Sequence, residues 1–86
     1  MKVVAKPIEM IALFSDRGGP EPLKFRITGR EKSTTIMVEQ IIDKHIEKLA
    51  GNNMYVFTCQ SEIDGKRKKY EIKFELNTCK WMLFKI

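Results

Sequence analysis

Residues 68–86 read KKYEIKFELNTCKWMLFKI, and the way its two apolar runs are laid down decides the fold. In the first run Tyr70, Ile72, Phe74 and Leu76 fall on one side, while Lys69, Glu71, Lys73 and Glu75 fall on the other. A period of two is the signature of a strand with one face on a core and one in water. "NTC" interrupts as a turn. The second run is different, because six of the eight residues from Cys79 to Ile86 are apolar. On strict alternation Trp81 and Leu83 share a face with Lys85, and Met82, Phe84 and Ile86 share the other. One small barrel cannot bury both sets. The outer trio is therefore expected to need a cover: the 43–50 segment, the N-terminal strand, or a second copy of the chain, giving a homodimer.

Working back from this end, MYVFTCQSEI (54–63) reads as a third strand, joined to the 68–76 strand through Asp64-Gly65, a good hairpin signal. Keeping the core faces together places Phe57 opposite Phe74, Cys59 opposite Ile72, and Leu76 opposite Trp81. In that register Cys79 sits in a turn ~13 Å along the sheet from Cys59, at ~3.3 Å per residue. That is too far for a disulfide.

The first half is less regular. KPIEMIALF (6–14) reads as a strand with Pro7 near its start, SDRGGPEP (15–22) as a turn, and LKFRI (23–27) as a strictly alternating strand. Residues 34–50, TTIMVEQIIDKHIEKLA, carry conflicting signals. Val38, Ile41, Ile42, Ile46 and Leu49 fall at helical spacing, yet 34–42 is crowded with β-branched residues. The reading is a strand over 34–42 and a short helix around 43–50 closed by Gly51, with one helix over 38–50 as the alternative. The expected fold is mainly β: a single domain over 1–86, a small antiparallel barrel-like sheet of about six strands, SH3-like, with that one short helix. Phe25, Ile27, Phe57, Ile72, Phe74, Leu76, Trp81 and Leu83 are its expected core.

An 86-residue chain that is 43% apolar and 31% charged has the composition of one ordinary globular domain. The start lacks the apolar core and cleavage site of a signal peptide, and no apolar run approaches the ~20 residues of a membrane helix. Two cysteines without an export signal fit a reducing cytoplasm, so no membrane partner is expected.

Motifs for chemistry are sparse. The single histidine, His45, lies among Asp43, Lys44, Glu47 and Lys48 and reads as a solvated side chain. A Cys–His pair with Cys59 or Cys79 is conceivable, but nothing in the sequence brings them together. The cysteines lack metal-ligand spacing, and RGGPEP lacks the Lys-Ser/Thr and helix start of a phosphate loop. No cofactor, metal or small-molecule substrate is expected. The one dense charge feature is Lys66, Arg67, Lys68 and Lys69, with Lys24 and Arg26 as a second basic stripe on another strand. Within a net charge of +5 these residues could contact nucleic acid or another anion. They could equally be a charged tip that keeps an edge hairpin soluble.

The spread KPIEMIALF … PLKFRI … KLAGN … YEIKFELNTCKWMLFKI, over about 6–86, resembles a family of small single-domain proteins of clostridia and related Firmicutes, a domain of unknown function. The resemblance implies an organism and a compartment; it assigns no chemistry. The sequence thus points to a small non-catalytic macromolecule-binding or self-associating domain. A sequence-tolerant nucleic-acid binder is the alternative, and a cysteine-dependent enzyme a distant third.

Overall fold

A computed structural model describes all residues, 1–86. The chain forms seven strands: β1 (Val3–Phe14), β2 (Pro20–Thr28), β3 (Ser33–Met37), β4 (Gln40–Leu49), β5 (Asn52–Ile63), β6 (Lys66–Glu75) and β7 (Lys80–Lys85). All pair antiparallel in one sheet of order β3-β2-β1-β7-β6-β5-β4. β1 carries the sheet around a corner: Glu9–Phe14 pair with β2, whereas Val3–Ile8 pair with β7.

The two edge strands are β3 and β4, yet only Val38 and Glu39 join them. A link that short ties the end of one edge strand to the start of the other, and the sheet curls into a half-barrel with the two edges unpaired. Three hydrogen bonds hold the bend. Val38 N donates to Leu23 O at 2.8 Å, Glu39 N donates to Ser61 Oγ at 3.2 Å, and Ser61 Oγ donates to Met37 O at 2.7 Å. At the opposite seam Lys2 and Ile86 exchange backbone hydrogen bonds of 2.7 and 2.9 Å, which sets the two chain ends side by side.

No helix forms around 43–50 or over 38–50. Those residues are β4, paired with β5 from Gln40↔Gln60 to Leu49↔Asn52. The twelve-residue β5 offers a ladder along its whole length, and pairing with it overrides the helical spacing of Ile41, Ile42, Ile46 and Leu49. Ala50 and Gly51, with φ of 50° and 79°, form a two-residue hairpin turn of the kind that matches strand twist. The left-handed position expected at Gly51 is present, but it turns a hairpin. Asp64 and Gly65 do the same between β5 and β6.

The core lies on the inner face of the curl. Phe25, Phe57, Cys59, Tyr70, Ile72 and Leu83 are fully buried, and Ile36 and Phe74 nearly so. Phe74 and Trp81 pack with ring centroids 4.6 Å apart. Ile27 and Trp81 are half-buried, and Leu76 lies outside the core at 39% exposure. The register explains Leu76. Tyr55 lies opposite Phe74, Phe57 opposite Ile72, and Phe74 opposite Trp81, two residues from the expected pairing with the faces preserved. That shift moves Leu76 past the end of β6. Cys59 and Cys79 are both free thiols, one buried and one exposed.

The C-terminal strand departs from strict alternation. Glu71 pairs with Lys85 and Ile72 with Leu83, so Phe84 is an extra residue on β7. The bulge reverses parity. Lys85 joins Glu71 on the outer face, with Nζ 3.9 Å from its carboxylate, and Ile86 packs against the core cluster. Met82, Phe84 and Ile86 therefore do not form one outward surface.

Candidate binding surfaces

The outer face of the β4–β5–β6–β7 layer is closed by the chain's own charged side chains. Lys73 pairs with Val56 and Met82, expected at a water-facing position, yet it is only 9% exposed. Its Nζ lies 3.2 Å from Glu47 Oε1 and 3.8 Å from the centre of the Phe84 ring. The lysine stem and the Glu47 side chain lie along this face, and Val56 is fully buried there. Phe84 is thus covered by Lys73, and the strand carrying Glu47 belongs to the 43–50 segment. Met82 lines a shallow depression with Pro7 and Trp81.

The basic hairpin is laid out along the β5–β6 ladder, with Lys66 opposite Ile63, Arg67 opposite Glu62, Lys68 opposite Ser61 and Lys69 opposite Gln60. All four are exposed. Arg67 is bound at 2.8 Å to Glu39, whose other oxygen accepts from Glu62 N at 2.8 Å. Lys66, Lys68 and Lys69 make no ion pair. Lys24 and Arg26 lie together on the outer face of the β1–β2–β3 layer, away from this hairpin in the sheet order. Arg26 is ion-paired with Glu9, and both line a depression of about 340 Å³ beside Ile11 and Lys24. Three of the aromatics that could stack bases are engaged, while Phe14, 63% exposed at the end of β1, lies beside Phe74 at the opposite end of β6 from the hairpin. Tyr70 is fully buried, Tyr55 lies 5.0 Å beneath the Lys44 ammonium, and Phe84 lies beneath Lys73.

The groups suited to nucleophilic chemistry are kept apart. His45 lies opposite Val56, on the outer face, with Nδ1 2.9 Å from Asp43 Oδ2. Cys59 points into the core beside Tyr70, and burial pushes its thiol up to about 12, which leaves it protonated. Cys79 sits in the exposed β6–β7 turn at φ 58°. In that turn Glu75 accepts from Thr78 Oγ1 at 2.6 Å and from Asn52 Nδ2 at 3.0 Å. These bonds hold its carboxyl below the usual range, Thr78 contributing most. No group of three or more His, Cys, Asp or Glu side chains is placed to hold a metal ion. No helix is long and apolar enough to cross a membrane.

Two features escaped the sequence. The first is the Ser61–Tyr70 hydroxyl pair at 2.6 Å in the core. A polar residue at an inward position, two beyond Cys59, was its signal. The second is the free edge of β4. All but one of its ten residues are exposed, Ile41, Ile42, Ile46 and Leu49 among them. Reading 43–50 as a helix conceals that edge.

The chain matches no protein-family model, no curated protein and no solved structure.

Proposed function

We propose that this chain is a small non-catalytic, cytoplasmic domain, SH3-like in scale, that binds another macromolecule through its sheet. The observation that carries this reading is β4: a ten-residue edge strand, unpaired on one side, with four large apolar side chains exposed along it. Protein sheets ordinarily blunt such edges by shortening, charging or covering them, because unpaired N–H and C=O groups recruit another strand. β4 is long and uncovered, and its charges, Asp43, Lys44, Glu47 and Lys48, sum to zero and leave no net repulsion along it. The opposite edge, β3, has only five residues.

A second reading, nucleic-acid binding, is favoured by the three lysines of the 66–69 hairpin that have no acidic partner. It is weakened by the cover over Tyr55, Tyr70 and Phe84 and by the place of the exposed Phe14, beside Phe74 at the far end of β6 from the lysines, since sequence-tolerant single-strand binding draws on exposed stacking faces.

Site-specific photo-crosslinking separates the two. A photoreactive residue at Ile41 or Leu49 should yield a discrete protein adduct in cells expressing the chain, and one at Lys68 should not. Adducts to nucleic acid from position 68, with none from β4, would replace the first reading by the second.

A further inference from the structure

We infer that the partner of the β4 edge is a second copy of this chain, joined β4 to β4 across a two-fold axis on Ile46. This rests on the reading of β4 as the working edge and names its occupant.

The register follows from symmetry and charge. Two identical antiparallel strands that extend one sheet are related by an axis normal to that sheet. Each residue then faces one of the same parity, so a residue must lie on the axis. The irregularity between Ile41 and Asp43 confines regular pairing to the stretch beyond it. Centring on His45 sets Asp43 against Glu47 twice, and centring on Glu47 sets it against itself. Centring on Lys44 runs pairing into the bulge, with Ile42 set against Ile46. Centring on Ile46 sets that side chain, 48% exposed in the single chain, against its own copy. It also places His45 opposite Glu47 of the partner on both sides of the axis. His45 uses Nδ1 for Asp43, so Nε2 is the ring atom left for that carboxylate.

The same register brings Lys44 opposite Lys48, which would repel if both ammonium groups stood at the edge. Lys44 does not stand there. Its Nζ is drawn back over its own sheet, 5.0 Å from the Tyr55 ring centre and 5.7 Å from that of Phe57, and so close to Gly19 that a side chain there would collide with it. Two seven-stranded sheets thereby become one continuous sheet, and both long edges disappear.

Residues directly opposite on antiparallel strands have Cα atoms ~4.5–5.5 Å apart, within disulfide reach. The test is the chain carrying Ile46→Cys and Cys79→Ser, with Lys48→Cys in the same background as control, alongside sedimentation equilibrium of the wild type and of Ile46→Lys. Ile46 is half-exposed at an edge, so both changes leave the fold intact, as circular dichroism would verify. The expected result is a wild-type dimer, an oxidised cross-link at position 46 and not at 48, and dimerisation weakened by about tenfold or more in Ile46→Lys. A wild type that is monomeric at high micromolar concentration overturns the second-copy inference and leaves β4 to another partner. A dimer that cross-links at neither position and tolerates Ile46→Lys overturns both the register and the use of this edge.

Discussion

The Ser61 hydroxyl gathers three hydrogen bonds where the bend between β3 and β4 meets the core, and Tyr70 is the residue that caps it. Ser61 Oγ accepts from Glu39 N, donates to Met37 O, and lies 2.6 Å from Tyr70 Oη. With its one proton given to Met37, the tyrosine is the donor of the pair. Removing the serine strands three partners, and removing the tyrosine hydroxyl strands none. Ser61→Ala should therefore cost about 2–4 kcal/mol, and Tyr70→Phe about 0.5–1.5 kcal/mol. Urea melts of the two variants check the order. Equal losses would mean that the bend holds without the serine.

Lys73 and Glu47 give a second ordered pair. The lysine is nearly buried over Phe84, so removing its carboxylate leaves a poorly solvated charge. Glu47→Gln should cost about 1–3 kcal/mol. Lys73→Met, which keeps an apolar stem over Val56, should cost less. If Lys73→Met proves the worse of the two, the cation over the Phe84 ring outweighs the ion pair.

Alkaline pH should weaken the fold through two buried acids. Burial raises Cys59 from 9.0 to about 12 and Tyr70 from 10.0 to about 12. In the pH range between those values the unfolded chain has already lost protons that the folded chain retains, so stability falls as pH rises. It is fully present below pH 9 and declines toward pH 12, each group contributing a slope of up to about 1.4 kcal/mol per pH unit. Urea melts at pH 8 and pH 11 should show the loss, and Tyr70→Phe should reduce it. A wild type equally stable at both values would mean that these groups reach water without unfolding.

If the basic hairpin meets phosphate, its three unpaired lysines set the salt dependence. Binding to single-stranded or duplex nucleic acid should then weaken on a log–log plot with a slope of magnitude about 2–3. Lys66→Gln with Lys68→Gln and Lys69→Gln should flatten it. Arg67→Gln should change it little, because Glu39 already neutralises that guanidinium. Fluorescence anisotropy across a salt series reads both. Binding that ignores salt would exclude the hairpin.

The sheet was legible where alternation was strict. Phe25, Phe57, Ile72, Phe74 and Leu83 are buried as their period of two requires. It was illegible where alternation broke for a local reason. At Phe84 a bulge adds one residue and turns Ile86 inward, and no side-chain pattern marks a bulge in an apolar run. At 40–49 the apolar spacing suits a helix, and only the length of β5 and the turn at Ala50-Gly51 decide otherwise. Both candidate surfaces depend on those two places. The trio at the C-terminus dissolves with the bulge, and the free edge appears only once β4 is a strand. The basic hairpin, by contrast, could be read directly, because Asp64-Gly65 fixes its turn.

The hydrogen-bonded pair of chain ends closes the path of the chain into a loop whose seam lies between β1 and β7. Most neighbouring strands are also neighbours in sequence and can zip from a turn, whereas β1 and β7 bring Val3 to Lys85 across nearly the whole chain. Loop closure of that length costs the most entropy, so this pairing is the slowest to be rewarded. Joining residues 2 and 86 through a short linker and opening the chain between Asp64 and Gly65 would make β7–β1 a hairpin and move the seam to β5–β6. The native sheet would be unchanged, and the order in which it assembles would be rotated along that loop.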